Sequence, residues 1–303
     1  MNAAMTSINP ILLPAFKSEA GRLRYMAAYD AVLSDWPVPV EEIDVQTHLG
    51  ATHIVACGSQ SAPSVVLLPS FAGTATVWRL NVHDLSQHFS VYCVDVIGQP
   101  GKSVATQRLR NRRQLAIWLT EVLDGLRIER TSIVGCSFGG FLALNQASLA
   151  PERVERIVLI SPVGVFASQY WKLLYTMLVK RTLRRLSRRI SKTKRLPSKA
   201  ELGMIPKDTK WAALMGVTMS EAPKVGIIRT PVFRKSELRA IRPGALLLIG
   251  DHEKLYDPHS MMKTAQERMP SLQGVILKDA DHIAAMAQPT DVNARIIQFL
   301  KQP

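Results

Sequence analysis

A serine flanked by glycines is the first feature of this sequence that could carry chemistry. Residues 135–139 (GCSFG) match the pattern G-x-S-x-G, and they follow the β-branched run 131–134 (TSIV). Residues 140–147 (GFLALNQA) are rich in small residues and favour a helix. A strand, a sharp turn and a helix would expose the Ser137 hydroxyl at the tip of a strained turn, where it can act as a nucleophile. The flanking glycines fit because a Cβ would clash in so tight a turn.

Two later strands end in residues that could activate such a hydroxyl. Residues 245–249 (ALLLI) are followed by an acidic loop that contains Asp251, Glu253 and Asp257, and residues 274–278 (GVILK) are followed by Asp281 and His282. Open α/β sheets collect their sites at the carboxyl ends of parallel strands. We interpret His282 as the general base and then acid, and Glu253 as the residue that orients its imidazole. Asp251 and Asp257 stay open as alternative acids.

These motifs resemble the α/β-hydrolase superfamily from about residue 40 onward, and that family places its serine, acid and histidine in this order. Residues 65–73 (VVLLPSFAG) resemble the family's strand followed by His-Gly-Phe-Gly-Gly, and residues 94–103 (VDVIGQPGKS) resemble its D-x-x-G-x-G-x-S turn. More narrowly, residues 29–39 (YDAVLSDWPVP) and 250–259 (GDHEKLYDPH) are similar to small bacterial carboxylesterases. That similarity favours Glu253 as the acid.

The resemblance also implies two oxyanion donors, the backbone N–H groups of Phe71 and Phe138. Removing one such donor typically lowers the rate about 10²–10³-fold. The sequence departs from the family pattern here, since Pro69-Ser70 replaces His-Gly and proline has no N–H to donate. We therefore expect a reshaped loop in which Ser70 lies at the substrate pocket as a tolerated residue, with a hydroxyl donor to the oxyanion as the alternative.

The composition predicts one globular protein with an insertion. The chain has 303 residues, of which 47% are hydrophobic and 20% charged, and strands alternate with helices, which predicts a mostly parallel sheet covered on both faces. The resemblance implies an α/β-hydrolase fold with an eight-stranded sheet and a helical cap. We predict an N-terminal extension with a helix at 1–40, a core at 41–166 and 241–303, and a basic helical cap at 167–240.

All of the excess positive charge lies in the predicted cap. Residues 167–240 contain 18 Lys and Arg against 4 Asp and Glu, whereas the rest of the chain has 20 of each sign. Residues 178–195 predict a basic amphipathic helix, and Trp171 and Tyr175 lie in an apolar segment before it that could line an acyl pocket. The charge could be a solvated face, could rest on an anionic membrane, or could dock an acyl-carrier protein or the phosphates of coenzyme A. Nucleic acid is not expected, because few aromatic residues are interleaved with the charges.

No cofactor is expected, because the sequence contains no Gly-rich phosphate cradle and no metal-ligand cluster. The cysteines Cys57, Cys93 and Cys136 have no spacing typical of a metal site or a disulfide framework. The remaining histidines, His53 among them, are interpreted as surface or loop residues. No signal peptide or membrane span is predicted, so a cytoplasmic location is expected.

The leading hypothesis is a serine hydrolase that cleaves a carboxylic ester through an acyl-enzyme. The alternatives are a thioesterase or lactonase acting on an acyl-carrier-protein, coenzyme A or lactone substrate, and a non-hydrolytic cyclase or binding protein on the same fold.

Overall fold

The computed structural model describes residues 16–166, 209–221 and 232–302. Within these ranges the strands are β1 (Glu41–Thr47), β2 (Gly50–Cys57), β3 (Ser64–Leu68), β4 (Ser90–Val94), β5 (Val104–Ala105), β6 (Thr131–Cys136), β7 (Val154–Ile160), β8 (Gly244–Gly250) and β9 (Leu272–Leu277). The α-helices are α1 (Glu19–Leu33), α2 (Val82–Ser86), α3 (Arg112–Gly125), α4 (Phe138–Leu149), α5 (Thr209–Glu221), α6 (Lys235–Arg239), α7 (Pro258–Arg268), α8 (Ala284–Ala287) and α9 (Pro289–Leu300). Short 3-10 helices span Ala75–Leu80 and Pro151–Arg153.

The strands form one sheet in the order β1-β2-β4-β3-β6-β7-β8-β9, with β5 paired to β2 outside that path. The pairs β1–β2, β2–β4 and β2–β5 are antiparallel. The other pairs are parallel. The predicted mostly parallel sheet of the α/β-hydrolase fold is confirmed, and the two-residue strand β5 is an addition to the eight strands predicted.

Apolar cores cover both faces of the sheet. Trp118 of α3 and Phe141 of α4 lie in the core on one face, and Tyr25 of α1 and Trp78 lie in the core on the other. The strands between them are continuous apolar runs, such as the fully buried residues 65–68. Such runs are typical of parallel strands that are buried on both faces. The sheet is therefore a rigid platform whose carboxyl edge carries the loops after β3, β6, β8 and β9.

Helix α1 packs on α5, a helix of the predicted cap. The two helices touch closely at Gly21, where an added Cβ would lie 2.5 Å from Glu221 Oε2. An ion pair of 2.6 Å joins Arg24 of α1 to Glu221, and a second of 2.6 Å joins Lys210 of α5 to Asp35, which follows the end of α1. Helix α1 thus holds α5, and the division of the chain into an N-terminal extension, a core and a cap stays a prediction.

The basic helix predicted at 178–195 lies outside the described residues. Among the helices that the structure does describe, none is long and apolar enough to cross a membrane.

The interpretation of His53 as a surface or loop residue is wrong. Its side chain is 5% exposed on β2, and its imidazole lies 2.8 Å from Asp44 Oδ1 and 3.1 Å from Glu42 Oε2. Both carboxylates stand on β1, where Asp44 is the direct antiparallel partner of His53. Strand pairing therefore supplies the acceptors that allow a histidine to be buried here.

Candidate active site

The turn between β6 and α4 holds Ser137 in a strained backbone conformation. Its φ is 55° and its ψ is −109°, a region that costs a non-glycine residue on the order of 1–3 kcal/mol. Neighbouring backbone overcomes that cost, since the Ser137 N–H donates to Ile160 O at 2.8 Å. The Ser137 carbonyl accepts from the N–H groups of Gly140 and Phe141 at 3.1 and 3.3 Å. The sharp turn predicted from the G-x-S-x-G pattern is present.

The two glycines of the pattern are required because backbone passes directly over them. A Cβ on Gly135 would lie 2.1 Å from Gly139 O. A Cβ on Gly139 would lie 2.1 Å from Leu68 O and 2.8 Å from Pro69 O. The turn is thereby packed against the end of β3, which brings the loop after β3 beside Ser137.

Replacing Gly139 with alanine is expected to lower the melting temperature strongly or to prevent folding. The new methyl group would meet backbone atoms, which cannot rotate away as a side chain can. Thermal unfolding followed by circular dichroism measures the effect. The matched control is Gly216→Ala in α5, where nothing lies within 4 Å of the added Cβ and alanine is expected to stabilise the helix by about 0.5–1 kcal/mol. Equal melting temperatures for both variants would contradict the close approach at Gly139.

A chain of hydrogen bonds connects Ser137, His282 and Glu253. His282 Nε2 lies 3.0 Å from Ser137 Oγ, and His282 Nδ1 lies 2.6 Å from Glu253 Oε2. The Ser137 residue is 7% exposed, the His282 side chain is 25% exposed and the Glu253 carboxylate is fully buried. A hydroxyl, an imidazole and a carboxylate in this order can activate the hydroxyl as a nucleophile.

Backbone donors hold the Glu253 carboxylate in its ionised form. Its Oε1 accepts from the N–H groups of Lys254 and Leu255 at 2.8 and 2.9 Å. Burial works to raise the pKa of Glu253, but the hydrogen bond and charge of His282, together with the two N–H groups, outweigh it and hold the pKa below its usual value. An ionised carboxylate is the form that accepts from His282 Nδ1–H and stabilises the imidazolium.

The two alternative acids face other partners. Asp251 Oδ1 accepts from Ala280 N–H at 3.2 Å. Asp257 is the N-cap of α7, and its side chain accepts from Ser260 N–H at 2.7 Å. Among the described residues, the carboxylate that contacts the His282 imidazole is that of Glu253.

The loops after β8 and β9 are tied together by backbone hydrogen bonds. Asp251 N–H donates to Leu277 O and His252 N–H donates to Ala280 O, both at 2.9 Å. Gly250 makes this contact possible, because a Cβ there would lie 2.2 Å from Ala280 O. The ties fix the distance between Glu253 and His282. Sequence reasoning did not single out Gly250, and its position at the end of a strand was the only available signal.

Phe71 lies in the loop after β3, which we call the β3 loop (residues 69–75). In the parallel register Leu68 is the partner of Gly135, so this loop runs beside the serine turn. The Phe71 and Phe138 rings meet edge to face with 6.2 Å between their centroids. Among the residues that the structure describes, no hydrogen bond joins the Phe71 or the Phe138 backbone N–H to an acceptor.

The predicted pocket residues are only partly covered by the structure. Ser70 is half-buried, and its carbonyl accepts from Gly73 N–H at 2.9 Å. Its hydroxyl lies over Gly73, 3.0 Å from the position of an added Cβ. Trp171 and Tyr175 lie outside the described residues.

A thiol next to Ser137 and a cluster of potential ligand atoms in the loops after β8 and β9 are two further candidate reactive groups. Burial and the charge of Glu253 raise the pKa of the Cys136 thiol to about 12, which keeps it from competing as a thiolate nucleophile. Asp251, His252 and Asp279 bring potential ligand atoms within 4.8 Å of one another, a cluster that the sequence did not predict. Exposed acidic groups often gather without an ion, so the cluster by itself assigns no metal.

Comparisons with known proteins agree with this architecture. Residues 65–295 match the Alpha/beta hydrolase family. The chain is 33% identical over 286 residues to Carboxylesterase YbfK of Bacillus subtilis (strain 168), covering 94% of this chain and 96% of that protein. It is 32% identical over 281 residues to the protein named "Uncharacterized carboxylesterase nap" of the same organism, covering 91% and 92%. The crystal structure of naproxen esterase (carboxylesterase NP) from Bacillus subtilis matches with a TM-score of 0.81 at 29% identity, over 94% of this chain and 100% of that chain.

The sheet order and the serine turn define an α/β-hydrolase architecture. With its family match and two full-length relatives above 30% identity, the chain belongs to the Alpha/beta hydrolase family. The predicted resemblance to small bacterial carboxylesterases is confirmed.

Proposed function

We propose that this protein is a carboxylesterase that cleaves carboxylic esters of small molecules through an acyl-enzyme intermediate. The observation that carries the proposal is the continuous chain of hydrogen bonds from Ser137 through His282 to the buried Glu253 carboxylate. The names of the two Bacillus subtilis relatives, both carboxylesterases, support the same reaction class.

In the proposed acylation step, Ser137 Oγ attacks the acyl carbon while His282 Nε2 accepts the hydroxyl proton. The carbonyl oxygen becomes an oxyanion that the Phe71 and Phe138 N–H groups stabilise, an effect that is strong because such donors are fixed before the reaction. Collapse of the tetrahedral intermediate breaks the ester bond, and the imidazolium of His282 gives its proton to the departing alcohol.

In the proposed deacylation step, water takes the place of Ser137 Oγ as the attacking group. His282 accepts a proton from the water, and the resulting hydroxide forms a bond to the acyl carbon. Collapse of the second tetrahedral intermediate breaks the bond to Ser137 Oγ, which takes back the proton and releases the acid. Glu253 stays ionised throughout and orients the imidazole.

Labelling with a fluorophosphonate probe tests the proposal without knowledge of the natural substrate. Wild type is expected to be labelled, whereas Ser137→Ala and His282→Ala are not, because the probe needs both the nucleophile and its base. Circular dichroism spectra of all three proteins control for folding. A well-folded wild type that resists the probe would argue for the non-hydrolytic alternative.

The finer substrate and partner predictions rest on the basic segment outside the described residues. A carrier-protein thioester, a lactone or an anionic membrane at the cap therefore stays a prediction, as does the cytoplasmic location. Turnover of p-nitrophenyl butyrate and butyryl-coenzyme A by the same preparation compares ester with thioester. If the basic cap binds an anionic substrate, salt should raise the KM for the coenzyme A ester alone.

A further inference from the structure

The β3 loop has an unusual set of internal contacts. Pro69 has no N–H, and the turn within the loop is closed by Gly73 N–H donating to Ser70 O at 2.9 Å. Ala72 adopts φ 59°, the left-handed region that alanine occupies at a cost of about 1–2 kcal/mol. A conformation of this kind persists only where surrounding groups fix it.

The group that fixes Ala72 is the side chain of Gln99. Gln99 Oε1 accepts from Ala72 N–H at 3.0 Å, and the Gln99 residue is 5% exposed. Gln99 is itself anchored, because its own N–H donates to Val96 O at 3.0 Å in the turn after β4. A buried acceptor on an anchored backbone holds the peptide between Phe71 and Ala72 in one orientation.

The far end of the β3 loop is held by the same turn after β4. Asp95 Oδ1 accepts from Ala75 N–H, and Asp95 Oδ2 accepts from Lys102 N–H, both at 2.7 Å. Asp95 is fully buried. Two side chains of one turn, Gln99 and Asp95, therefore hold the β3 loop at its middle and at its end.

We propose that Gln99 is a positioning residue that holds the Phe71 N–H in place for the developing oxyanion. This inference rests on the proposed function, since it assigns Phe71 a task in ester cleavage. Without the Gln99 acceptor, the peptide between Phe71 and Ala72 can rotate to relieve the positive φ of Ala72. Rotation of that peptide moves Phe71, whose own N–H is one peptide unit upstream.

Loss of the Gln99 acceptor should weaken the stabilisation of the transition state and change substrate binding little. For hydrolysis of p-nitrophenyl butyrate, Gln99→Leu is expected to lower kcat about 10- to 100-fold and to leave KM within about threefold. Full removal of an oxyanion donor lowers kcat about 10²–10³-fold. A smaller loss is expected here, because Gln99 contacts the neighbouring N–H of Ala72 and not the donor itself. Gln99→Glu is expected to retain most of the activity, because either protonation state of the carboxyl group keeps an oxygen that accepts from Ala72 N–H.

An inhibitor pair separates positioning from general stability. An alkyl trifluoromethyl ketone adds to the serine and forms a tetrahedral oxyanion, whereas the matched methyl ketone binds without that charge. In Gln99→Leu the inhibition constant of the trifluoromethyl ketone should rise in step with the loss in kcat/KM, and that of the methyl ketone should stay within about threefold. Gln99→Asn retains the amide but is too short to reach Ala72, so it should give the same result if the leucine variant fails to fold.

The matched control is Gln146→Leu. Gln146 is also buried, and its Nε2 donates to Thr120 Oγ1 at 2.9 Å between α4 and α3. This variant should lose stability and keep its kcat. Equal kcat values for wild type and the Gln99 variants, or equal losses for Gln99→Leu and Gln146→Leu with an unchanged inhibitor ratio, would overturn the positioning role alone. A wild type without Ser137-dependent turnover would overturn the proposed function and the positioning role together.

Discussion

Ser137→Ala is expected to lower kcat for p-nitrophenyl butyrate by about 10⁶-fold, the loss typical of removing a serine nucleophile from a triad. The variant cannot form the acyl-enzyme proposed here, because the substitution removes the hydroxyl oxygen that lies 3.0 Å from His282 Nε2. Residual turnover above the uncatalysed rate would come from binding and from the proposed oxyanion donors, the N–H groups of Phe71 and Phe138. Steady-state kinetics on purified protein, with titration of active sites in the wild type, measures the effect.

The melting temperature is the control for Ser137→Ala. Loss of one hydroxyl from a turn that backbone hydrogen bonds hold should change stability little. A variant that keeps more than about one hundredth of the wild-type kcat would show that another group carries the reaction. If Ser137 and His282 act together, adding His282→Ala to Ser137→Ala should lower kcat little further, because the effects of residues that act as a unit are strongly non-additive.

Glu253→Gln is expected to lower kcat by about 10⁴-fold, as neutralising the acid of a serine triad does elsewhere. A glutamine at this position preserves shape, but its amide no longer supplies the negative charge that stabilises the imidazolium. Its nitrogen can also favour the wrong tautomer of His282. Steady-state kinetics with the same ester measures the loss.

The two alternative acids supply matched controls for Glu253→Gln. Asp251→Asn keeps an oxygen for Ala280 N–H, and Asp257→Asn keeps a good N-cap for α7. Both variants should retain kcat within about threefold of wild type. A large loss in either one, together with a small loss in Glu253→Gln, would reassign the acid.

The stability lost in Glu253→Gln is expected to depend on pH. The pKa of Glu253 lies below its usual value of 4.5 in the folded protein, so its ionised form contributes stability that is fully present above pH 4.5. That contribution is lost as the pH falls through the lowered folded pKa. The difference in unfolding free energy between wild type and Glu253→Gln should therefore shrink below pH 4.5, and a constant difference would contradict the depressed pKa.

Much of the fold could be predicted because buried parallel strands leave a strong pattern. Strand β3 was expected near residue 65 from the resemblance of residues 65–73 to the family pattern, and the observed strand ends in the four buried apolar residues 65–68. The two-residue strand β5 carries too little sequence for any pattern and was not predicted. Its pairing depends on Gly50, where a Cβ would lie 2.1 Å from Val104 O, and such an approach between distant segments is visible only in the structure.

The candidate site was less predictable where contacts come from outside a motif. The N-cap role of Asp257 was readable from the Asp-Pro pair at a helix start. The burial of His53 depends on its pairing with Asp44 across two strands, and sequence alone does not give that register. The bond between Gln99 and Ala72 joins two loops, and nothing in the D-x-x-G turn singles out its glutamine as an acceptor.

The packing of α1 on α5 couples two segments that lie far apart in the sequence. The first turns of α1 and the end of α5 are almost 200 positions apart in the chain, and the ion pair between Arg24 and Glu221 joins them. In directed evolution that randomises residues 209–221, the variants that fold must keep side chains that pack on α1. Conversely, mutagenesis of residues 19–33 offers a way to alter how α5 is held without changing the sheet or the loops that carry Ser137 and His282.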